Sequence, residues 1–283
     1  MTWPHFDSRT GSMGRLQGKT ALVTGAGRDG NIGVAICEAF LREGCAGVIA
    51  TDLRSGEAAA ISARMEAEFG GGRFVFVEHD VADESSWAKV VDVCLESFGA
   101  LDILVNNAGI SVHGGVQSTS LETMRRVMAV NHDALFLGMK TCLPPLARSH
   151  LRFAEGGAVI NNISMASYMP NPRNLGYAVS KAAARMLTLC AAEEFGPQRV
   201  RVNSIHPGVT MTPLIEEGLA EYVKAGRWTD REEAESSLVE RTPLRMTSRP
   251  ADVAHAFVFL ASAEARFVTG ASINHDGGLG RVY

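Results

Sequence analysis

From Lys19 onward the chain alternates short apolar runs, bounded by Gly or Asp, with longer segments whose apolar residues recur at helical spacing. The apolar runs predict strands at 20–24, 47–52, 74–78, 103–106, 158–163, 200–205 and 271–275. Most are apolar throughout, as strands buried on both faces of a parallel sheet must be. Helical spacing covers 32–43, 57–69, 85–98, 121–147, 177–195 and 251–262,. Alternation of this kind predicts an α/β fold, a doubly wound parallel sheet of about seven strands with helices on both faces and right-handed crossovers. No repeat, low-complexity tract or Pro/Gly linker interrupts it, so one domain is expected over 19–283, after a flexible tail at 1–18. Met13 is a candidate alternative start, since the periodic pattern begins only after it. The stretch 210–247 breaks the rhythm. Charged and too long for a simple connection, it predicts an inserted helical lid,.

Composition narrows the function classes. Apolar residues make up 46% of 283, enough for a sizeable core, and the net charge is −4 with no dense Lys/Arg block. Such a surface offers no electrostatic footprint for nucleic acid or an anionic membrane. No apolar stretch approaches membrane-helix length, and the N-terminus lacks the apolar core of a secretory signal,. The five cysteines (Cys37, Cys45, Cys94, Cys142, Cys190) are scattered and odd in number, so neither a disulfide framework nor a metal site follows,. A reducing, cytoplasmic setting is the expectation.

Two local patterns bring in chemistry. Tyr177 and Lys181 are four residues apart at the start of an Ala-rich helix and project to one side,. A fixed cation near a phenol favours the phenolate, which makes the pair a candidate general acid/base. The first strand runs into Gly25-Ala26-Gly27-Arg28-Asp29-Gly30-Asn31-Ile32-Gly33 and then a helix, a turn that lets backbone approach a pyrophosphate at a helix N-terminus,. The second strand ends at Asp52, placed to accept hydrogen bonds from an adenosine ribose and to repel a 2′-phosphate,. That favours NAD over NADP in a Rossmann-like site. Arg28 argues the other way if it pairs with a 2′-phosphate; alternatively it is a solvated loop charge or pairs with Asp52.

Further motifs complete a resemblance. The chain is similar to members of the short-chain dehydrogenase/reductase family, single-domain branch, from about Lys19 to Gly278. Thr24-Gly25 to Gly33 resembles the cofactor turn, with Arg28, Asn31 and Ile32 inside it, and Asp52-Leu53 follows at the second strand tip. Asp80-Val81 resembles the adenine-contacting motif, and Asn106-Asn107-Ala108-Gly109 the segment closing the central strand beside the cofactor. Pro207-Gly208-Val209, with Thr210 and Thr212, resembles the segment that holds the nicotinamide carboxamide. Asn131, Ser164, Tyr177 and Lys181 match the catalytic tetrad.

The resemblance implies roles. Tyr177 donates or accepts a proton at the substrate oxygen, and Ser164 hydrogen-bonds that oxygen. Lys181 lowers the tyrosine pKa and binds the nicotinamide ribose, and Asn131 holds a water leading to solvent. Ser167 is a rival for the hydroxyl role. One departure stands out: Gly33 falls two positions later than the family's turn places its last Gly. Either Asn31 takes the left-handed conformation or Gly30 does so in a widened loop.

Interconversion of a secondary alcohol and a ketone with NAD, in the oxidative direction, is therefore the expected activity. The rivals are an NADPH-dependent 3-oxoacyl-carrier-protein reductase and a non-catalytic dinucleotide sensor. Met165, Ala166, Tyr168 and Met169 lean toward a hydrophobic cyclic or steroid-like small-molecule substrate, with His113, Tyr168, Asn174 and His206 at the mouth. The resemblance also implies a homo-oligomer, a tetramer before a dimer.

Overall fold

The protein is described here by a computed structural model covering residues 14–280. The strands are β1 (Thr20–Thr24), β2 (Gly47–Asp52), β3 (Phe74–Glu78), β4 (Ile103–Asn106), β5 (Gly157–Asn162), β6 (Val200–Pro207) and β7 (Ser272–His275). They form one seven-stranded sheet in the order β3-β2-β1-β4-β5-β6-β7, and every neighbouring pair is parallel. The helices are α1 (Ile32–Arg42), α2 (Ala58–Phe69), α3 (Glu84–Phe98), α4 (Leu121–Met128), α5 (Ala134–Arg148), α6 (Leu175–Phe195), α7 (Pro213–Lys224), α8 (Arg231–Arg241) and α9 (Pro250–Ala261). This is the doubly wound α/β fold the alternation predicts.

Side chains of one strand alternate between the two faces, so each strand feeds two cores. Ala21 and Val23 of β1 join Val34, Phe40, Ile61 and Phe257 on the α1, α2 and α9 side. Leu22 of the same strand joins Trp87, Val90, Leu137, Ala191 and Phe195 on the α3, α5 and α6 side. All five β1 residues are buried. The sheet builds outward in opposite directions from β1 and β4, and in such sheets ligands sit beyond the strand C-termini at that switch point.

Two expectations on elements change. The continuous helix at 121–147 is interrupted: a π-helical turn at Ala129–Asp133 separates α4 from α5. Asn131 occupies that turn, fully buried, and bonds the backbone of another loop, which a regular helix would not let it reach,. The tail boundary also moves. Residues 14–18 pack onto the domain, with Leu16 fully buried and its N–H bonded to the Glu43 carbonyl at 2.9 Å. The remaining expectations on that end, a loose tail and Met13 as a start, lie outside the described residues. The segment between β6 and α9 contains α7 and α8, two helices where the charged stretch predicts a lid. Among the described residues no helix is long and apolar enough to cross a membrane.

Candidate active site

β1 ends in a turn built on backbone freedom. Gly25 and Gly30 have φ of 69° and 72°, the left-handed region. A Cβ at Gly33 would lie 2.2 Å from the Gly25 carbonyl oxygen, and one at Gly27 would lie 2.2 Å from the Arg54 carbonyl oxygen, so the turn folds tightly on itself,. Gly30, not Asn31, supplies the left-handed step of the longer turn. Asn31 is extended (φ −89°, ψ 167°) and acts as the N-cap of α1. Its Oδ1 accepts from Val34 N–H at 2.8 Å and its Nδ2 donates to the Gly25 carbonyl at 3.0 Å, tying both ends of the turn together,. The first-turn N–H groups of Ile32 and Gly33 are among the donors no helix satisfies by itself.

Asp52 is held at the tip of β2 by two backbone donors, Gly27 N–H at 2.9 Å and Arg54 N–H at 3.0 Å. Arg28 is neither a free loop charge nor Asp52's partner. Its guanidinium pairs with Glu217 of α7 at 2.6 Å. Leu53, beside Asp52, is 62% exposed. After β3, Asp80 accepts from Ala82 N–H at 3.0 Å while Asp83 caps α3, so Asp80 is not the helix cap. Val81 is buried against Trp87 and Val90, and Trp87 Nε1 donates to its carbonyl at 3.0 Å.

The Asn106–Gly109 segment splits in function. Asn106 is buried in a polar thread between the central strands and α6, donating to Asn161 Oδ1 at 2.9 Å; Asn161 in turn donates to Thr188 at 2.9 Å. Asn107 instead braces the glycine turn: its Nδ2 donates to the carbonyls of Thr24 and Gly25 at 2.9 and 3.0 Å. Thr24 Oγ1 accepts from both Asn107 and Ala108 N–H at 3.0 Å. Gly109 leaves room where a side chain would press on its neighbours: a Cβ there would lie 3.4 Å from Asn131 Oδ1 and 3.6 Å from Lys181 Nζ.

Three of the four tetrad candidates are linked by direct contacts, and Asn131 joins them through α6. The Ser164 side chain lies close enough to the Tyr177 phenol to lower its pKa, and the Lys181 ammonium lies 5.6 Å from the centroid of the Tyr177 ring. Asn131 locks Ile110 by accepting from its N–H at 2.8 Å and donating to its carbonyl at 2.9 Å. Asn131 also donates to Ser180 of α6 at 3.1 Å. Lys181 is 3% exposed, donates to the Asn162 carbonyl at 2.9 Å, and is held down to about 8 by burial. Asn162, which the sequence pattern does not single out, also donates to Asn107 at 2.8 Å and so joins the lysine to the glycine turn. Its only sequence signal is a polar pair, Asn161-Asn162, ending an apolar strand.

The expected lowering of the Tyr177 pKa by Lys181 is not what the folded chain gives. Burial pushes the phenol above its ordinary value, and Ser164 only partly opposes this. Desolvation disfavours the charged form of both groups, and the ammonium lies over the ring,. Ser167 does not compete with Ser164 for the phenol: its hydroxyl donates to the Ser164 carbonyl at 2.8 Å.

At the other end of the cleft, Pro207 closes β6 and Gly208 N–H bonds the His275 carbonyl at 3.0 Å. A Cβ on Gly208 would meet Asp276 Cα at 2.7 Å. Val209 accepts from Ser248 N–H at 2.9 Å, and Thr210 shares a hydroxyl bond with Ser248 at 2.8 Å. Thr212 caps α7 through Ile215 N–H. The helix then spans the cleft on two acidic residues four apart: Glu217 holds Arg28 of the glycine turn, and Glu221 holds His113 of the β4–α4 loop at 2.5 Å. His113 also meets Tyr222 edge-on, ring centroids 4.5 Å apart. Asn174 is 7% exposed and donates to Ser111 at 2.6 Å, and Tyr168 packs on His206 at 4.9 Å.

Glycines that admit close approach, an open helix N-terminus and a carboxylate at the β2 tip fit a dinucleotide. A buried ammonium facing backbone carbonyl rather than carboxylate fits it too. Among the described residues no group of His, Cys, Asp or Glu could hold a metal. Comparison with known proteins agrees on the class. A family model described as enoyl-(acyl carrier protein) reductase matches residues 25–280. The chain belongs to the short-chain dehydrogenase/reductase family, oxidoreductases that use NAD or NADP. It is 36% identical to 2,5-dichloro-2,5-cyclohexadiene-1,4-diol dehydrogenase of Sphingobium indicum, covering 93% of this chain and 97% of that one. It is 35% identical to the NADP-dependent (R)-specific alcohol dehydrogenase of Lentilactobacillus kefiri, covering 93% and 97%. A crystal structure of a short-chain dehydrogenase/reductase from Burkholderia xenovorans superposes with a TM-score of 0.84 at 34% identity, covering 94% of this chain and 98% of that one.

Proposed function

We propose that this protein is an NAD-dependent dehydrogenase of secondary alcohols carried on apolar, ring-shaped small molecules, with Tyr177 as the general acid/base. The observation that supports the reading is the convergence of the Ser164 side chain, the Tyr177 phenol and the Lys181 ammonium beyond β5, with Lys181 joined to the glycine turn through Asn162 and Asn107. A bound nicotinamide supplies the hydride acceptor or donor. The chain's own part is to hold the alcohol oxygen between Ser164 and Tyr177 and to move its proton. Lys181, buried beside the Tyr177 ring, is placed to bind the nucleotide's ribose, and Asn131 fixes the loop and helix that frame it.

Asp52 supports NAD. Its oxygens keep lone pairs beyond the Gly27 and Arg54 contacts, suited to ribose hydroxyls and hostile to a 2′-phosphate. Arg28, the cation that would favour NADP, is engaged by Glu217. The acidic lid helices, with Glu216, Glu217, Glu232, Glu233 and Glu235, oppose docking of an acidic carrier protein and so disfavour the carrier-protein reductase. A ring diol is the substrate in the printed name of the Sphingobium relative, in keeping with the apolar residues after Ser164. By family resemblance the working form is a cytoplasmic homo-oligomer, a tetramer before a dimer.

The test is an initial-rate screen of alicyclic alcohols, hydroxysteroids and sugars with each nucleotide. The expected result is turnover of ring alcohols with kcat/KM about 100-fold higher for NAD than for NADP, on the order of 2.7 kcal/mol. Equal or better turnover with NADP would remove the Asp52 argument, and turnover of sugars alone would remove the substrate class.

A further inference from the structure

His206 lies one residue beyond the point where the sheet stops tying β6 to β5. The ladder runs to Asn162↔Ile205, followed by one more bond, from Ile163 N–H to the Ile205 carbonyl at 2.8 Å. Ser164 has then left the sheet, and the backbone offers it no further cross-strand partner. The fully buried His206 side chain supplies one. Its Nδ1 is 3.2 Å from the Ser164 carbonyl and 2.9 Å from Ser167 Oγ, and its Nε2 is 2.9 Å from Ser204 Oγ. A carbonyl only accepts, so the contact to Ser164 assigns the proton to Nδ1 and leaves Nε2 to accept from Ser204. Burial pushes the ring down to about 4, so it stays neutral and keeps this tautomer near neutral pH.

The Ser164 carbonyl thus takes three donors: Ser167 N–H at 3.0 Å, Ser167 Oγ at 2.8 Å and His206 Nδ1. Two of them belong to the same short turn and move with it; His206 alone anchors it to the sheet. A second contact ties the turn to the helix bearing the phenol. Tyr168 packs between His206, at 4.9 Å, and the Arg185 guanidinium, at 4.5 Å. Arg185 follows Tyr177 and Lys181 at steps of four residues along α6, on the same face,.

We infer that His206 is a positioning residue: through the Ser164 carbonyl it fixes where the Ser164 hydroxyl stands relative to the Tyr177 phenol. The inference rests on the reading of Ser164 and Tyr177 as the reacting pair. Its geometric part, an anchored turn, is measured separately.

His206→Ala and His206→Gln remove the donor at the Nδ1 position, while His206→Asn retains one there. In Ala and Gln variants, amide hydrogen exchange at Ala166 and Ser167, whose N–H groups bond Ser164, should quicken about tenfold or more. Their kcat should fall roughly 10- to 100-fold, since a misplaced reacting group costs that much. KM for the nucleotide should stay within about twofold of the unmodified protein, and His206→Asn should lie near it in both exchange and kcat. Unchanged exchange in His206→Ala overturns the anchoring. Quickened exchange with unchanged kcat, or a His206→Asn protein as impaired as His206→Ala, overturns the positioning role. If no alcohol is turned over by the unmodified protein, the function proposed above fails, and the exchange measurement still decides the anchor.

Discussion

Tyr177 is governed by two opposed influences, and desolvation is the larger. Burial raises its pKa while Ser164 lowers it, so the resting phenol is neutral at pH 7 and ready to protonate a ketone oxygen. Alcohol oxidation needs the phenolate. Its kcat/KM should therefore climb with pH through the neutral and alkaline range, while ketone reduction should fall over the same span; a pH–rate profile in both directions checks the crossing trends. Tyr177→Phe keeps the ring and its packing but cannot carry the proton. It should lose about 1,000-fold or more in kcat and bind nucleotide within a few-fold of the unmodified protein, as titration calorimetry would show. Loss of nucleotide binding together with turnover would instead mark Tyr177 as a structural residue.

The elements around the site show how short motifs acquire purpose from their neighbours. The glycine turn tolerates its extra length because Gly30 takes the left-handed step, leaving Asn31 extended to cap α1 and clip the turn shut. Asn31→Ala should cost about 1 kcal/mol in urea unfolding and weaken nucleotide binding, whereas Asn31→Ser should recover much of the stability by capping the same helix. The lid helix α7 is fastened at both sides of the cleft by Glu217 and Glu221. Both pairs are substantially exposed, Glu217 at 54% and Glu221 at 69%, and exposed pairs contribute about 0–1 kcal/mol,. Glu217→Gln with Glu221→Gln should consequently change KM for substrate by no more than about fivefold, with an effect that shrinks in added salt. A hundredfold change would mean that α7 carries binding residues of its own.

Across the whole molecule, buried neutral histidines set the acid limit of stability. His79 and His206 are 2% and 0% exposed, and both are pushed down to about 4 by burial. The unfolded chain takes up these protons near 6.5, so between the two values it binds more protons than the folded chain. Stability is therefore greatest above 6.5 and declines as the pH falls toward 4, by at most on the order of 3 kcal/mol for each histidine. Urea unfolding at pH 7 and pH 5 measures the decline. Replacing His79 by Asn should flatten it, with Thr51, its partner at 3.1 Å on Nδ1, still able to hydrogen-bond the amide.

The amino-acid sequence determined the order of elements, the parallel sheet, the glycine turn and the tetrad candidates, because these depend on spacing and on chain-local residue types. Each strand of the sheet lies within a residue or two of its apolar run. Only the tertiary structure decided that Arg28 meets Glu217, 189 residues away, that Asn131 breaks its helix to reach Ile110, and that Leu16 belongs to the core. It also reversed the sign expected for the Tyr177 shift. Contacts between residues far apart in the chain, and the exclusion of water that accompanies them, leave no mark on local spacing. They exist only once the elements have packed.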